Sequence, residues 1–201
     1  IYDSLDQSWT EFLYQCNCIP VILPNLLKNI DQYIEQMDIQ GIILTGGGDF
    51  SDVVEKNSSE DSTIIDHNFI SRDRDVLEVN IIKCCSKYNL PLIGICRGMQ
   101  LLNYFYGGSL VKIDGHSGTF HQMETLNKNY SFDSLTNSFH ERGITMETIS
   151  PLFEPIAITE YVVKSFKHRS LSQLGIMWHP ERNRPYSRND IELFKSFLKI
   201  K

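Results

Sequence analysis

No run in this 201-residue sequence approaches the roughly twenty apolar residues that a bilayer crossing requires, so no membrane partner is expected. Nor does it open with a basic stretch, an apolar core and a small-residue cleavage site, and no targeting signal is expected. Basic residues are the minority, 19 against 25 acidic, for a net charge of -6; a nucleic-acid backbone calls for clustered Lys and Arg, so that partner is excluded too. Cysteine is sparse and odd in number, at positions 16, 18, 84, 85 and 96. That count does not make a disulfide framework, and a reducing cytoplasm is the expected compartment. Internal repeats, linkers and low-complexity tracts are missing as well. One domain over 1–201 is therefore expected, of a length that buries a core without staples. The letters carry no signal for oligomeric state.

What is present is an alternation of two periods. Leu5, Trp9, Phe12, Leu13 and Cys16 recur at helical spacing and predict a helix over 5–16, and "IPVILP" at 19–24 reads as a strand between prolines. "PNLLKNIDQYIEQM" at 24–37 predicts a second helix through Leu26, Ile30, Tyr33, Ile34 and Met37, followed by the strand of "GIILTGGGD". Leu77, Ile81, the Cys84–Cys85 pair and Tyr88 mark a third helix, "LPLIGI" a third strand, and "MQLLNYFYGG" a helix stopped by Gly107 and Gly108. Residues 50–67, polar and without apolar period, read as a surface loop and candidate lid. Short strands and loops fill 109–160. "YVVKSFKH" and "LGIMWH" read as strands, and "NDIELFKSFLK" as a closing helix capped by Asn189 or Asp190. Strands joined by crossover helices predict an α/β fold, three layers α/β/α around a mostly parallel, flavodoxin-like sheet.

One junction carries chemistry. Gly94-Ile95-Cys96-Arg97-Gly98 lies between a strand and a helix, the order of a nucleophile elbow, where a sharp turn lifts a side chain above the sheet. The N-terminus of the following helix aims free N–H groups at the sulfur, which favours thiolate; a small buried core residue is the plainer alternative for Cys96. A nucleophile also needs a base and a group to orient it. In "GIMWHPER", His179 and Glu181 stand two apart at the end of an extended segment, a spacing that points both side chains the same way. Gly46, Gly47 and Gly48 in "LTGGGD" follow a strand and leave backbone N–H groups clear for an oxyanion; the run does not suit a phosphate loop of the G-x-x-x-x-G-K-[ST] kind.

"GGGD" at 46–49, "RDVLE" at 74–78, "PLIGICRGMQLLN" at 91–103, "NSFH" at 137–140 and "GIMWHPE" at 175–181 together resemble the class I glutamine amidotransferase family, in its branch of stand-alone γ-glutamyl hydrolases, over nearly the whole chain. The resemblance implies Cys96 as nucleophile, His179 as general base and acid, Glu181 as orienting carboxylate, and N–H groups of Gly47 and Arg97 as oxyanion donors. It implies Gln100 as a holder of the γ-glutamyl head group, with Gly46 and Gly48 lining the site. Ser138 and Phe139 become candidate binders of the α-carboxylate, and His140 stands beside the entrance. Within the branch, the compact length, "NSFH" and "GIMWHPER" look most like the γ-glutamyl-CDP-amidate hydrolases, which act in making the phosphoramidate decoration of bacterial capsules. Members of the family begin with one more strand ahead of the helix at 5–16, so the sequence from Ile1 is expected to lack its first strand.

The function so implied is cysteine-dependent hydrolysis of a γ-glutamyl amide on a small-molecule substrate, with no metal and no organic cofactor. A glutaminase subunit feeding ammonia to a synthetase, and a catalytically silent binding module on the same fold, are the alternatives. His116 and His121, five apart near Asp114, invite a metal reading, but no third ligand at suitable spacing stands out. Arg72, Arg74 and Arg97, with a basic patch at 168–170 and 181–188, are candidates to meet a phosphate on the leaving group.

Overall fold

In a computed structural model, which describes residues 2–49 and 71–200, ten strands and five α-helices fold around a six-stranded sheet. The expected lid at 50–67 lies outside the described residues. The helices are α1 (Gln7–Gln15), α2 (Ile30–Gln36), α3 (Arg72–Tyr88), α4 (Arg97–Phe105) and α5 (Arg188–Phe197). The strands are β1 (Ile42–Leu44), β2 (Leu92–Ile95), β3 (Val111–Lys112), β4 (Ser117–Gln122), β5 (Glu124–Thr125), β6 (Leu135–Phe139), β7 (Arg142–Gly143), β8 (Phe153–Thr159), β9 (Val162–His168) and β10 (Gln173–Ile176). The main sheet runs β1-β2-β10-β9-β8-β5; its first three strands are parallel and the remainder antiparallel, and β3–β7 and β4–β6 form two-stranded ladders beside it. This is the expected α/β architecture, with its parallel half where the crossover helices return. Among the described residues no helix is long and apolar enough to cross a membrane.

Local signals explain the helix ends. Ser71 caps α3, its hydroxyl accepting from the Arg74 N–H, and Asp73 and Asp75 place negative charge in the first turn. Asn89 closes it in the left-handed region, at φ 49°. The closing helix is capped by Ser187 rather than by Asn189 or Asp190, because Ser187 Oγ takes the Asp190 N–H and Asp190 turns inward to accept from Trp178 Nε1 at 2.9 Å. The second helix is shorter than its apolar period: Asn29 caps it at Ile30, and Leu26 is left exposed. No strand forms at 19–24. Pro20 and Pro24 withdraw two donors, no strand pairs there, and Ile19 is 92% exposed.

Glycines set the sheet's central contact. In register, Gly94 of β2 stands between Leu44 and Gly175. A β-carbon on Gly94 would come within 2.6 Å of the Gly98 backbone, and one on Gly175 within 2.6 Å of Met99. Gly98 in turn lies against the Leu44 carbonyl. Helix α4 therefore rests almost directly on the sheet, with its first turn above the carboxyl ends of β1, β2 and β10. Open α/β sheets bind ligands at that end of their strands.

Candidate active site

Cys96 follows β2 and caps α4 with φ 49° and ψ −100°, a conformation that costs a residue with a β-carbon about 1–3 kcal/mol. Its neighbours enforce it: the Cys96 N–H donates to the Ile176 carbonyl at 2.8 Å, and its own carbonyl accepts from the Gln100 N–H at 2.9 Å. The strand-turn-helix expected from G-x-C-x-G is present, with the positive φ at the cysteine itself. The side chain is 6% exposed and within hydrogen-bonding reach of His179. All five thiols are free; burial pushes those of Cys16 and Cys85 up to about 12 and raises Cys18 and Cys84 as well.

His179 and Glu181 meet as expected, but by a different local geometry. His179 is extended and Glu181 lies in a single 3₁₀ turn, Pro180–Arg182, which folds the carboxylate back until Oε1 is 2.7 Å from His179 Nδ1. Burial alone would drive the proton off this imidazole. Hydrogen bonds and charge from Cys96 and Glu181 outweigh it and raise His179 from its ordinary 6.5 to about 9. The ring is held from three more sides. Asn137 of β6 clasps its backbone twice, accepting from His179 N and donating to His179 O, each at 2.8 Å. The Phe139 ring stands edge-on at 5.7 Å, and Gly46 lies flat beneath it.

Gly47 and Gly48 have φ of 95° and 76°, which glycine adopts without strain. Arg74 fixes this turn by donating to the carbonyls of Thr45 at 2.7 Å, Gly46 at 3.2 Å and Gly47 at 2.8 Å. In a trans peptide the N–H of the next residue points opposite the carbonyl, so the amides of Gly46, Gly47 and Gly48 are turned away from Arg74. Arg74 Nε also pairs with Glu78 at 2.7 Å, and the buried Arg97 guanidinium pairs with both Glu78 and Asp75. Two of the three arginines expected to meet a phosphate are thus engaged by protein groups, Arg97 buried and Arg74 partly so, while Arg72 stays exposed.

Gln100 is buried, and its carboxamide donates to the Arg142 carbonyl at 2.7 Å. That carbonyl also meets His140 Nδ1 at 2.9 Å. His140 is 4% exposed and turned inward, which corrects its expected place beside the entrance: its Nε2 faces the ammonium of Lys164 at 3.3 Å. Ser138 is buried, with its hydroxyl 3.2 Å from the same ammonium, while Phe139 is 40% exposed under the Arg182 guanidinium, 4.5 Å above its ring. His116 and His121 stack at 3.9 Å, Asp114 points outward toward Lys112, and among the described residues no three ligands converge for a metal. The expected basic patch is broken up. His168 turns inward against Tyr106 and Phe153, Arg169 binds the Pro151 carbonyl, and Arg184 reaches Glu11. A groove of about 780 Å³ runs along β1, lined by apolar residues such as Trp9, Ile34 and Leu198, and it reaches the site, where Gly46, Gly47, Arg74, His179 and Glu181 also line it.

Sequence reasoning missed Asn137, Lys164 and the acidic pair Asp75–Glu78. Asn137 opens the "NSFH" motif, so its signal was available; Lys164 had none beyond a lysine in a strand.

The assembled site is a thiol beside an imidazole whose far nitrogen is held by a carboxylate, flanked by a glycine turn whose amides face away from Arg74. Such a set can attack a carbonyl and hand a proton to the departing group. Comparison with known proteins agrees in kind. The family model described as Peptidase C26 matches residues 2–182. The chain is 28% identical to γ-glutamyl-CDP-amidate hydrolase of Campylobacter jejuni over 81% of its own length and 71% of the relative's. It is likewise 28% identical to protein NtpR of Enterococcus hirae, over 96% and 87%. A crystal structure from Thermoplasma acidophilum, of a protein provisionally named as a component of GMP synthase, superposes with a TM-score of 0.69 at 19% identity, over 96% of this chain and 86% of that one.

Proposed function

The chain belongs to the peptidase C26 family, and from that premise we propose that it hydrolyses the γ-glutamyl amide bond of a small substrate, γ-glutamyl-CDP-amidate first among the candidates. The observation that carries this reading is the position of His179, between Cys96 on one side and Glu181 at 2.7 Å on the other. Cys96 is the nucleophile, His179 the base and acid, and Glu181 the group that fixes the imidazole's tautomer. The Cys96 thiolate adds to the γ-carbonyl carbon, and the negative charge moves to the carbonyl oxygen. Amides of Gly47 and Arg97 receive that oxygen, each such donor contributing ~3 kcal/mol to lowering the barrier. As the carbon–nitrogen bond breaks, the imidazolium proton passes to the leaving nitrogen. Water then attacks the γ-glutamyl thioester, gives a proton to His179, and glutamate departs with return of the thiolate. The buried Gln100 lies one turn along α4 from Cys96 and borders the acyl group.

The experiment is a panel of γ-glutamyl-CDP-amidate, γ-glutamyl amines, glutathione and glutamine, with glutamate release as the readout. Rapid release from the CDP-amidate, a glutamyl adduct on Cys96 by mass spectrometry, and loss of both in Cys96→Ala support the proposal and place the protein in capsule decoration. Glutamine turnover that appears only with an added synthetase would make it a glutaminase subunit instead. Undiminished release by Cys96→Ala would overturn the mechanism.

A further inference from the structure

Arg182 ends the 3₁₀ turn that carries Glu181, and the reaction described above makes no use of it. Its guanidinium lies over the Phe139 ring, 4.5 Å from the centroid, with Nε 3.6 Å from Glu181 Oε1. That same oxygen is 2.7 Å from His179 Nδ1, and the Phe139 ring stands edge-on to the imidazole at 5.7 Å. One carboxylate oxygen and one aromatic ring therefore separate this charge from the histidine of the site. The arginines around it are committed: Arg74 to the glycine turn and Glu78, Arg97 to Asp75 and Glu78, Arg184 to the carbonyls of Glu181 and Asn183 and to Glu11. Among the described residues the Arg182 side chain donates no hydrogen bond.

Two carboxylates feel the Arg182 charge without using its N–H groups. Glu181 is taken up by His179, and 3.6 Å lies beyond a hydrogen bond. Asp6 is occupied by Ser8, accepting from its N at 2.9 Å and its Oγ at 2.8 Å. An exposed ion pair of this kind adds little to stability, so holding the fold together does not account for the placement. Contact with an aromatic face, by contrast, orders a guanidinium and leaves its donors unspent. The chemistry of the site supplies an acceptor. Glu181 holds Nδ1, so the proton for the leaving nitrogen comes from His179 Nε2, and the leaving group must lie against this imidazole. In γ-glutamyl-CDP-amidate that nitrogen is bonded to phosphorus, and anionic phosphoryl oxygens extend past the ring while the acyl half stays with Cys96.

We propose that Arg182 is a specificity-determining residue, which selects substrates whose leaving group carries a phosphoryl anion, its guanidinium held ready for that group on the Phe139 ring. This role rests on the reading of the site as a γ-glutamyl hydrolase and gives the substrate a direction, acyl group toward α4 and anion toward Phe139 and Arg182. The planar fork of a guanidinium meets two oxygens of one phosphoryl group at once. A neutral leaving amine offers those donors nothing, which is the basis of the selection.

The test compares the unsubstituted protein with Arg182→Gln on γ-glutamyl-CDP-amidate and on γ-glutamyl-p-nitroanilide, whose leaving group is uncharged. Binding of CDP is measured beside it by isothermal titration calorimetry, with no glutamyl group present, and circular dichroism checks the fold. In Arg182→Gln the ratio of kcat/KM for the CDP-amidate to that for the anilide falls by about 10- to 100-fold, and the Kd for CDP rises by as much, the loss of one charge-assisted hydrogen bond. A ratio left in place overturns the proposal, and so does an unaltered affinity for CDP or an unsubstituted protein that does not bind it. CDP binding that weakens in Arg182→Gln while neither substrate is hydrolysed would remove the hydrolase reading and keep the anion site. Hydrolysis of both substrates with the ratio unmoved would do the reverse.

Discussion

The imidazole of His179 rests on Gly46 so closely that a β-carbon at position 46 would stand 2.5 Å from its Cε1. Glycine is needed there for the ring above it, since Gly46 itself has no positive φ. Gly46→Ala should therefore fold, with the imidazole displaced by a fraction of an ångström to an ångström. A misplacement of that size costs about 100-fold in kcat. Steady-state kinetics together with an unchanged melting temperature would bear this out; full activity in Gly46→Ala would mean the ring position is not critical.

The pH profile should fall on its alkaline side. Folding raises His179 from 6.5 to about 9, so the imidazolium that the proposed reaction uses to protonate the leaving nitrogen persists through neutral pH and is lost as pH climbs through about 9. The stabilisation tied to that proton follows the same sign: complete below about 6.5, gone above about 9. Plots of kcat/KM and of melting temperature against pH should decline together over that window, and a flat rate from pH 8 to 10 would contradict it.

Asn137 should matter to the rate more than to substrate affinity. It makes two 2.8 Å bonds to the His179 backbone and a third, at 2.9 Å, to Asn183. Asn137→Ala strands buried backbone groups, at about 1–3 kcal/mol of stability. With the imidazole's anchor gone, kcat should drop by about 10- to 100-fold with KM little changed. A change confined to KM would place Asn137 in the binding of substrate instead.

Asp190 is a stability liability at neutral pH. Burial raises its carboxyl to about 6, above the 3.8 of an open chain, despite the hydrogen bond from Trp178. A raised folded value means the favourable contribution is complete below about 3.8 and lost as pH rises through about 6. Asp190→Asn keeps an acceptor for Trp178 Nε1 and carries no charge. It should gain about 1–2 kcal/mol at pH 7.5 and nothing near pH 4, a difference that paired thermal melts would measure.

What the letters revealed follows from locality. Cys96 between its glycines, the glycine triplet, and His179 with Glu181 each sit in a few adjacent residues whose backbone demands are visible in the text, and each stands where it was expected relative to the strands. Lys164 was invisible for a definite reason. Alternation in "YVVKSFKH" implies one wet face, yet six of the seven residues of β9 are buried, because β10, β8 and the β4–β6 ladder hem the strand in. Arg97 was misjudged for the converse reason: a charged side chain reads as solvated until the partners that bury it, here Asp75 and Glu78, are brought from another helix. The strand at 19–24 failed because apolar composition cannot supply a ladder partner, and two of its six residues are prolines without a donor.

The polar face of α3 has a mechanical meaning. Arg74 hangs the glycine turn from that helix, and Asp75 with Glu78 hang the first residue after the sulfur from it, one helical turn apart. Two walls of the pocket built from separate strands thus share one axle. A displacement of α3 would therefore pull on both walls at once.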